Sequence, residues 1–264
     1  GVMDLMAECL RDGGLDMRLF QVLGEAPEEA EAVIEAGVDK VFLTGSNATG
    51  LQVLGRLARL GIPSVMELSG DDSVFVRPGA DVALVLRALR FGVGLNNGDT
   101  CIAPKRVYAP PEMARLLEGE SPLPVIEASD EDAIRMAGES GYGLGATVFG
   151  KEREATEFAR RLNAGVVVIN DMIVPTADPR VSFGGRGRSG FGVTRGPEGL
   201  LEMTVLKTIV VRRSRWLPHL DPRHSEDAAL FSGFLRCLHG GTLAIRWRGL
   251  REMIGAAMRR KGSR

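Results

Sequence analysis

Two apolar spacings take turns along most of the chain. In "DKVFLT", "SVMEL", "SVFV", "KRVYA", "LPVIEA", "GATVFG" and "VVVIN" the apolar residues are contiguous or alternate, as in strands buried on both faces. Between them lie segments whose apolar residues recur at helical spacing. Leu51, Leu54, Leu57 and Leu60 make one such stripe, ended by Gly61 and Pro63. "APEEAEAVIEAG" opens on Pro27 with acids in its first turn and stops at Gly37. Further helices open at Asp81 (running to about Phe91), at the prolines of "PPEMARLL", at Ser129 or Asp130 in "SDEDAIRMAGES", and in "KEREATEFARRLNAG", which Gly165 closes. The start, "GVMDLMAECLRDGG", is also helix-like. Strand, glycine turn, helix, strand is a βαβ unit, which implies a parallel sheet. The fold class is α/β.

Past "VVVIN" the pattern changes. "FGGRGRSGFG" is a glycine-rich loop, and "TVLKTIVVRR" alternates like a strand. From Ser214 two helices are expected, "SEDAALFSGFLRCLHGG" and "TLAIRWRGLREMIGAAMRR". In the second, Leu243, Trp247, Leu250, Ile254 and Ala257 form one stripe, while Arg246, Arg248, Arg251 and Arg259 lie mostly off it. Charge also sets this tail apart. The net charge is −1, yet the chain from Arg212 onward holds 12 Lys/Arg against 4 Asp/Glu, so +8 there is balanced by −9 in the body. The balanced total gives no reason to expect nucleic acid as a partner. The basic helix is read as a face packed on the body or on a partner subunit, with membrane contact not expected.

No apolar run is long enough to span a bilayer, and no charged-then-apolar leader is present. Cys9, Cys101 and Cys237 are far apart and odd in number, which suits a reducing compartment better than a disulfide framework, so a cytoplasmic location is expected. His219, His224 and His239 show no metal-ligand spacing, and no metal is expected. Without an initiator Met, the chain reads as an excerpt of something longer.

Three segments could carry chemistry. "TGSNATG" is a turn between strand and helix, where backbone N–H groups and a helix N-terminus suit a phosphate; Gly45 and Gly50 would allow close approach and Ser46 adds a hydroxyl. Many such turns carry glycines for tightness alone. Glu67 follows an apolar run, placing a carboxylate near the end of a parallel strand, where open α/β sheets bind ligands and where it could take a proton; the plain alternative is a solvated loop acid. Cys101, in "GLNNGDTCIAPKR", sits at a loop–strand junction where N–H groups could favour the thiolate, whereas Cys9 and Cys237 lie inside helical patterns and read as packing residues.

Taken in order, these segments resemble the aldehyde dehydrogenase family. "VFLTGSNATG" is similar to its nucleotide-binding turn, "MELSG" to the segment carrying its general base, and "NNGDTCIAPKRVY" to its nucleophile loop. "GESPLPV", "YGLGATVF", "AGVVVIN" and "SFGGRGRSGFGVTRGPEGLLEMTVLK" follow collinearly to about residue 210. The resemblance implies an aldehyde oxidised with NAD or NADP. Cys101 would be the nucleophile and Glu67 the general base, with Gly45, Ser46, Gly50, Leu68 and Glu120 as cofactor-binding residues. It also implies a homo-oligomer paired through strands like "TVLKTIVV". The expected organisation is a partial dinucleotide-binding domain over residues 1–68, then a thiol-bearing catalytic domain over 69–200. A strand of oligomerisation type over 201–213 and a basic helical tail over 214–264 follow.

Departures from the family are also visible. Asp71 stands where the family has lysine. Asp99 replaces a glutamine two residues before Cys101, and would disfavour the thiolate if it faced it. No position matches the family's oxyanion asparagine or ribose-binding lysine, and the segment between Tyr108 and Glu120 is short. These departures keep open a second reading, a non-catalytic aldehyde-dehydrogenase-like subunit acting by assembly. A third is a thioester-forming relative that releases acyl-CoA or reduces an acyl group.

Overall fold

Each of the seven apolar runs pairs as a strand in the computed structural model, which describes residues 1–213, 217, 220 and 222–262 (for Lys261 and Gly262 the backbone only). His219 and the start of the expected tail at Ser214 lie outside the described residues. By contacts the chain divides into two compact units, Gly1–Leu206 and Lys207–Arg264.

The first unit opens with helices α1 (Val2–Asp12) and α2 (Pro27–Ala36), followed by strand β1 (Val41–Gly45), helix α3 (Asn47–Leu60) and strand β2 (Ser64–Leu68). Strands β1 and β2 are parallel, from Val41 opposite Ser64 to Gly45 opposite Leu68. Of the leucine stripe on α3, Leu54 and Leu57 pack on Met66 and Leu68, while Leu51 and Leu60 are exposed. The reason is geometric: a constant step of three falls about 60° short of a full turn each time, so the stripe winds round the helix.

The remaining strands, β3 (Asp72–Val76), β4 (Pro104–Ala109), β5 (Val125–Glu127), β6 (Gly145–Phe149) and β7 (Val166–Ile169), form a second sheet in the order β5-β4-β3-β6-β7, parallel throughout. The connecting helices are α4 (Val82–Gly94), α5 (Pro111–Leu117), α6 (Asp130–Gly138) and α7 (Glu152–Ala159). Asp81 caps α4 by accepting from the Leu84 N–H at 3.1 Å, and Ser129 caps α6 by accepting from Asp132 at 3.2 Å. Period-two alternation sends Val74, Val76, Val107 and Phe149 to one face with Leu89 and Met113. Phe75, Tyr108 and Val148 go to the other with Ala155 and Phe158. Burying each such aliphatic or aromatic side chain is worth about 1.5–3 kcal/mol, so the middle strands anchor the unit.

The glycine-rich loop supplies a strand that its composition does not announce. Strand β8 (Gly190–Phe191) runs antiparallel to β2, with Gly190 opposite Glu67, and helix α8 (Gly196–Glu202) follows. The chain thus leaves the first sheet after β2, builds the second, and returns to complete the first with β8. The strand expected in "TVLKTIVVRR" is not formed within this chain. Residues 205–213 carry no strand, and Val205, Leu206, Ile209, Val210 and Val211 are 74–93% exposed, because a strand exists only where another edge accepts its hydrogen bonds.

In the second unit, helices α9 (Asp227–His239) and α10 (Leu243–Gly262) pack on each other. The stripe read as a packing face is not the face that α9 covers: Leu243, Trp247 and Ile254 are exposed, whereas Gly249 and Ala256 are buried. Gly233 and Gly249 decide this. A Cβ on Gly233 would stand 2.7 Å from the Gly249 carbonyl oxygen, so the two backbones meet where side chains are absent. Among the described residues no helix is long and apolar enough to cross a membrane.

Candidate active site

Both strands β1 and β2 end at one cleft, and the loop ahead of β4 enters it from the other side. The cleft, of about 330 Å³, is lined by Thr44, Gly45, Glu67, Leu68, Cys101 and Lys105 among others. Gly45 and Leu68 lie at the carboxyl ends of the first sheet, where parallel sheets place ligands. Cys101 arrives from the amino end of the second sheet. Left-handed backbone at Asn96 (φ 51°), Asn97 (φ 54°) and Gly98 (φ 81°) makes the reversal that presents it; Asn and Gly are the residues that tolerate this conformation. The Gly70 N–H then donates to the Cys101 carbonyl at 3.1 Å and ties the Cys101 loop to the segment after β2.

Electrostatics at the sulfur oppose ionisation. Although Cys101 as a residue is exposed, the cleft walls withdraw water from its thiol and push it above the ordinary range, and the charges of Glu67 and Asp72 push the same way. The N–H groups of Ile102 and Cys101 pull it down by hydrogen bonding, a smaller effect. Thus the turn does supply the expected N–H groups, but they do not prevail. The carboxylates that act on the thiol are Glu67 and Asp72, while Asp99 lines the cleft without being one of them. Asp71, the departure from the family's lysine, forms a two-pronged ion pair with Arg106 at 2.8 and 3.0 Å.

Glu67 is half-buried and held by the glycine-rich loop. The Thr194 hydroxyl lies 2.9 Å from its Oε2, placed to donate, and also lies 3.2 Å from the Phe183 carbonyl. Ser189, fully buried, donates to the Ser69 carbonyl at 2.8 Å and accepts from the Gly143 N–H at 3.0 Å, and its own carbonyl accepts from the Leu68 N–H at 3.0 Å. One residue thus links the end of β2 to the start of β6. Neither Thr194 nor Ser189 stands out in the sequence. The available signal was the density of glycines around them: Gly190 (φ 95°) lies so close to the Met66 carbonyl that a side chain there would overlap it.

The expected cofactor residues divide in the structure. Gly45 and Leu68 line the cleft. A Cβ on Gly45 would meet only Thr49, at 4.0 Å, so its backbone is open to a ligand. Ser46 caps the 14-residue α3, accepting from the Thr49 N–H at 3.0 Å. Gly50 is buried, and a Cβ there would stand 2.6 Å from Leu68 Cδ1; it lets the helix lie close on β2 instead of lining the cleft. Glu120 is exposed, pairs with Arg90 at 3.2 Å and does not line the cleft, because it precedes the edge strand β5. Among the described residues no group of three or more His, Cys, Asp or Glu is placed to hold a metal ion.

Against known proteins, residues 2–118 and 122–209 match the sequence model of the aldehyde dehydrogenase family. The chain is 27% identical to 4,4'-diapolycopene aldehyde oxidase from Methylomonas sp, over 83% of this chain and 56% of that protein. It therefore spans a little over half the length of this curated relative. Among solved structures, it resembles a Mycobacterium tuberculosis aldehyde dehydrogenase complexed with NAD+ (TM-score 0.61, 20% identity, 68% of this chain and 54% of that one). It also resembles succinic semialdehyde dehydrogenase from Streptococcus pyogenes in complex with NADP+ (TM-score 0.64, 21% identity, 75% and 61%). At these identities the structures speak for the fold, and the family match speaks for descent over most of the length. This chain belongs to the aldehyde dehydrogenase family.

Proposed function

We propose that the cleft oxidises an aldehyde to a carboxylic acid, with NAD or NADP as oxidant, through an acyl-thioester on Cys101. The observation that carries this reading is that Glu67 and Cys101, 34 positions apart in the sequence, line one cleft together with the backbone of Gly45. A dinucleotide's phosphates would be held at Gly45 and the first turn of α3, where the N–H groups of the helix start and the missing side chain provide a cradle. Bound there, the nicotinamide supplies a hydride acceptor.

The chain's own residues do the rest. Glu67 takes the thiol proton, directly or through water, and the sulfur adds to the aldehyde carbon, forming a tetrahedral alkoxide. N–H groups of Cys101 and Ile102 favour the thiolate by facing the sulfur. Loss of hydride from that carbon leaves a thioester on Cys101. Glu67 passes the thiol's proton to solvent and, ionised again, removes a proton from water, which attacks the thioester carbonyl; the acid departs and the thiolate is restored. Because the thiol is pushed up, the carboxylate beside it is needed to form the nucleophile at neutral pH.

A cytoplasmic homo-oligomer is part of the same reading, supported by the free cysteines and by the exposed apolar residues from Val205 to Val211, which a second copy could pair with. Multi-angle light scattering that gives a monomer mass would refute the assembly. The reaction is tested with the Glu67→Gln variant, mixed with hexanal or benzaldehyde and NAD+ or NADP+ at alkaline pH, where the thiol ionises without the carboxylate's help and only the water-activating step is lost. Mass spectrometry should find the acyl group retained on the Cys101 peptide and on neither Cys9 nor Cys237. Absence of that adduct, with no nicotinamide reduced by the unmodified chain, overturns the proposal.

A further inference from the structure

Behind the cleft, one buried carboxyl has no part in the reaction just described. Asp72, the first residue of β3, is 6% exposed. Its recorded hydrogen bond is from the Gly145 N–H to Oδ1, at 3.2 Å. Two glycines shape its seat. A Cβ on Gly145 would overlap Oδ2, and a Cβ on Gly70 would stand 2.5 Å from Oδ1. The same Gly70 position is 2.5 Å from the Cys101 carbonyl oxygen, so Asp72 Oδ1 and the nucleophile's backbone lie within twice that distance of each other.

The geometry points to Asp72 as a positioning residue for the thiol reaction, one whose proton decides how readily Cys101 ionises. This inference rests on the reading of Cys101 as the nucleophile. Asp72 touches neither substrate nor cofactor in it and acts through the sulfur.

The groups around Asp72 set the direction. From its own strand segment, Asp71 faces it, already paired with Arg106 of β4. Lys105 of β4 is the cation that favours its charged form. Strand β6 offers the Gly145 N–H, with Ile102 and Leu144 as apolar walls. Burial outweighs these donors and holds the carboxyl at about 7, within the pH range of cells. When it is neutral, forming the thiolate places one fewer negative charge beside the sulfur. When it loses its proton, thiolate formation meets a second carboxylate in addition to Glu67.

The test is the pH dependence of Cys101 alkylation by iodoacetamide, read by peptide mass spectrometry in the full chain. Asp72→Asn keeps the shape and an oxygen for the Gly145 N–H but removes the charge. It should alkylate roughly threefold to tenfold faster than wild type between pH 7.5 and 8.5, and lose the wild-type inflection near neutral pH. The exposed Lys105→Met serves as a second variant. It should move that inflection to higher pH in the wild-type background and create no inflection near neutral pH in the Asp72→Asn background. Superimposable profiles for wild type and both variants overturn the role of Asp72 while leaving Cys101 as the nucleophile. A Cys101 that stays unlabelled at every pH while Cys9 reacts, in wild type and Asp72→Asn alike, overturns the nucleophile reading and this one with it.

Discussion

Replacing Ser189 by Ala removes a single oxygen from the most heavily used polar position near the cleft. That oxygen is fully buried, donates to the Ser69 carbonyl and accepts from the Gly143 N–H. The Cβ stays, so lost packing is minor and the cost is that of two stranded partners. Gly143 is itself buried, so its N–H cannot turn to water, a penalty of about 1–3 kcal/mol; Ser69 is partly open, so its carbonyl can be rehydrated at little cost beyond the lost bond, about 1 kcal/mol. The sum is about 2–4 kcal/mol of stability. Urea unfolding should be followed by far-UV circular dichroism, which reads the strands and helices of the first unit directly. With a urea slope of about 2 kcal/mol per molar, the midpoint should fall by roughly 1–2 M, and hydrogen exchange at the Gly143 amide should accelerate. A midpoint within about 0.2 M of wild type, with the Gly143 amide as slow as before, would show that the oxygen is not the link described.

Three further perturbations probe separate parts of the argument. Thr194→Val withdraws the hydroxyl from Glu67 Oε2; a hydrogen bond to a carboxylate is worth about 1.5–3 kcal/mol, so thioester hydrolysis should slow about tenfold or more in rapid-quench kinetics, and an unchanged rate would leave Thr194 serving only the Phe183 carbonyl. Gly190→Ala meets both a positive φ and the Met66 carbonyl, and should cost more than about 3 kcal/mol or abolish soluble expression; a wild-type melting temperature would disprove the close approach of β8 to β2. Asp72→Asn also bears on stability. The folded chain holds the Asp72 proton up to about 7 against an ordinary 3.8, so stability from this group is full below about pH 4 and lost as pH rises through about 7, by up to about 4 kcal/mol. Denaturant midpoints measured from pH 4 to 8 should therefore fall more steeply for wild type than for the variant, and parallel curves would contradict the burial of an ionisable carboxyl.

Element types were legible from local pattern because they answer to local physics. Seven apolar runs became strands, and the caps at Asp81 and Ser129 fall where their side chains and following residues place them. The family motifs likewise point to Gly45, Glu67, Leu68 and Cys101, and these do line one cleft. Their roles there remain those proposed above.

What depended on residues far apart in sequence was not readable. Whether "TVLKTIVVRR" is a strand depends on an accepting edge, and none is supplied within this chain. The stripe on α10 gives no sign that Gly233 and Gly249 bring the two helices together on another face and leave most of it exposed. The charge that acts on Cys101 illustrates the same limit. Asp99 is its neighbour along the chain, yet Glu67 and Asp72 reach the sulfur, because β2 ends and β3 begins where the Cys101 loop folds back. Pattern along a chain specifies how each segment buries its own apolar side chains; partners, fields and close backbone approaches arise only once distant segments share a volume from which water has been expelled.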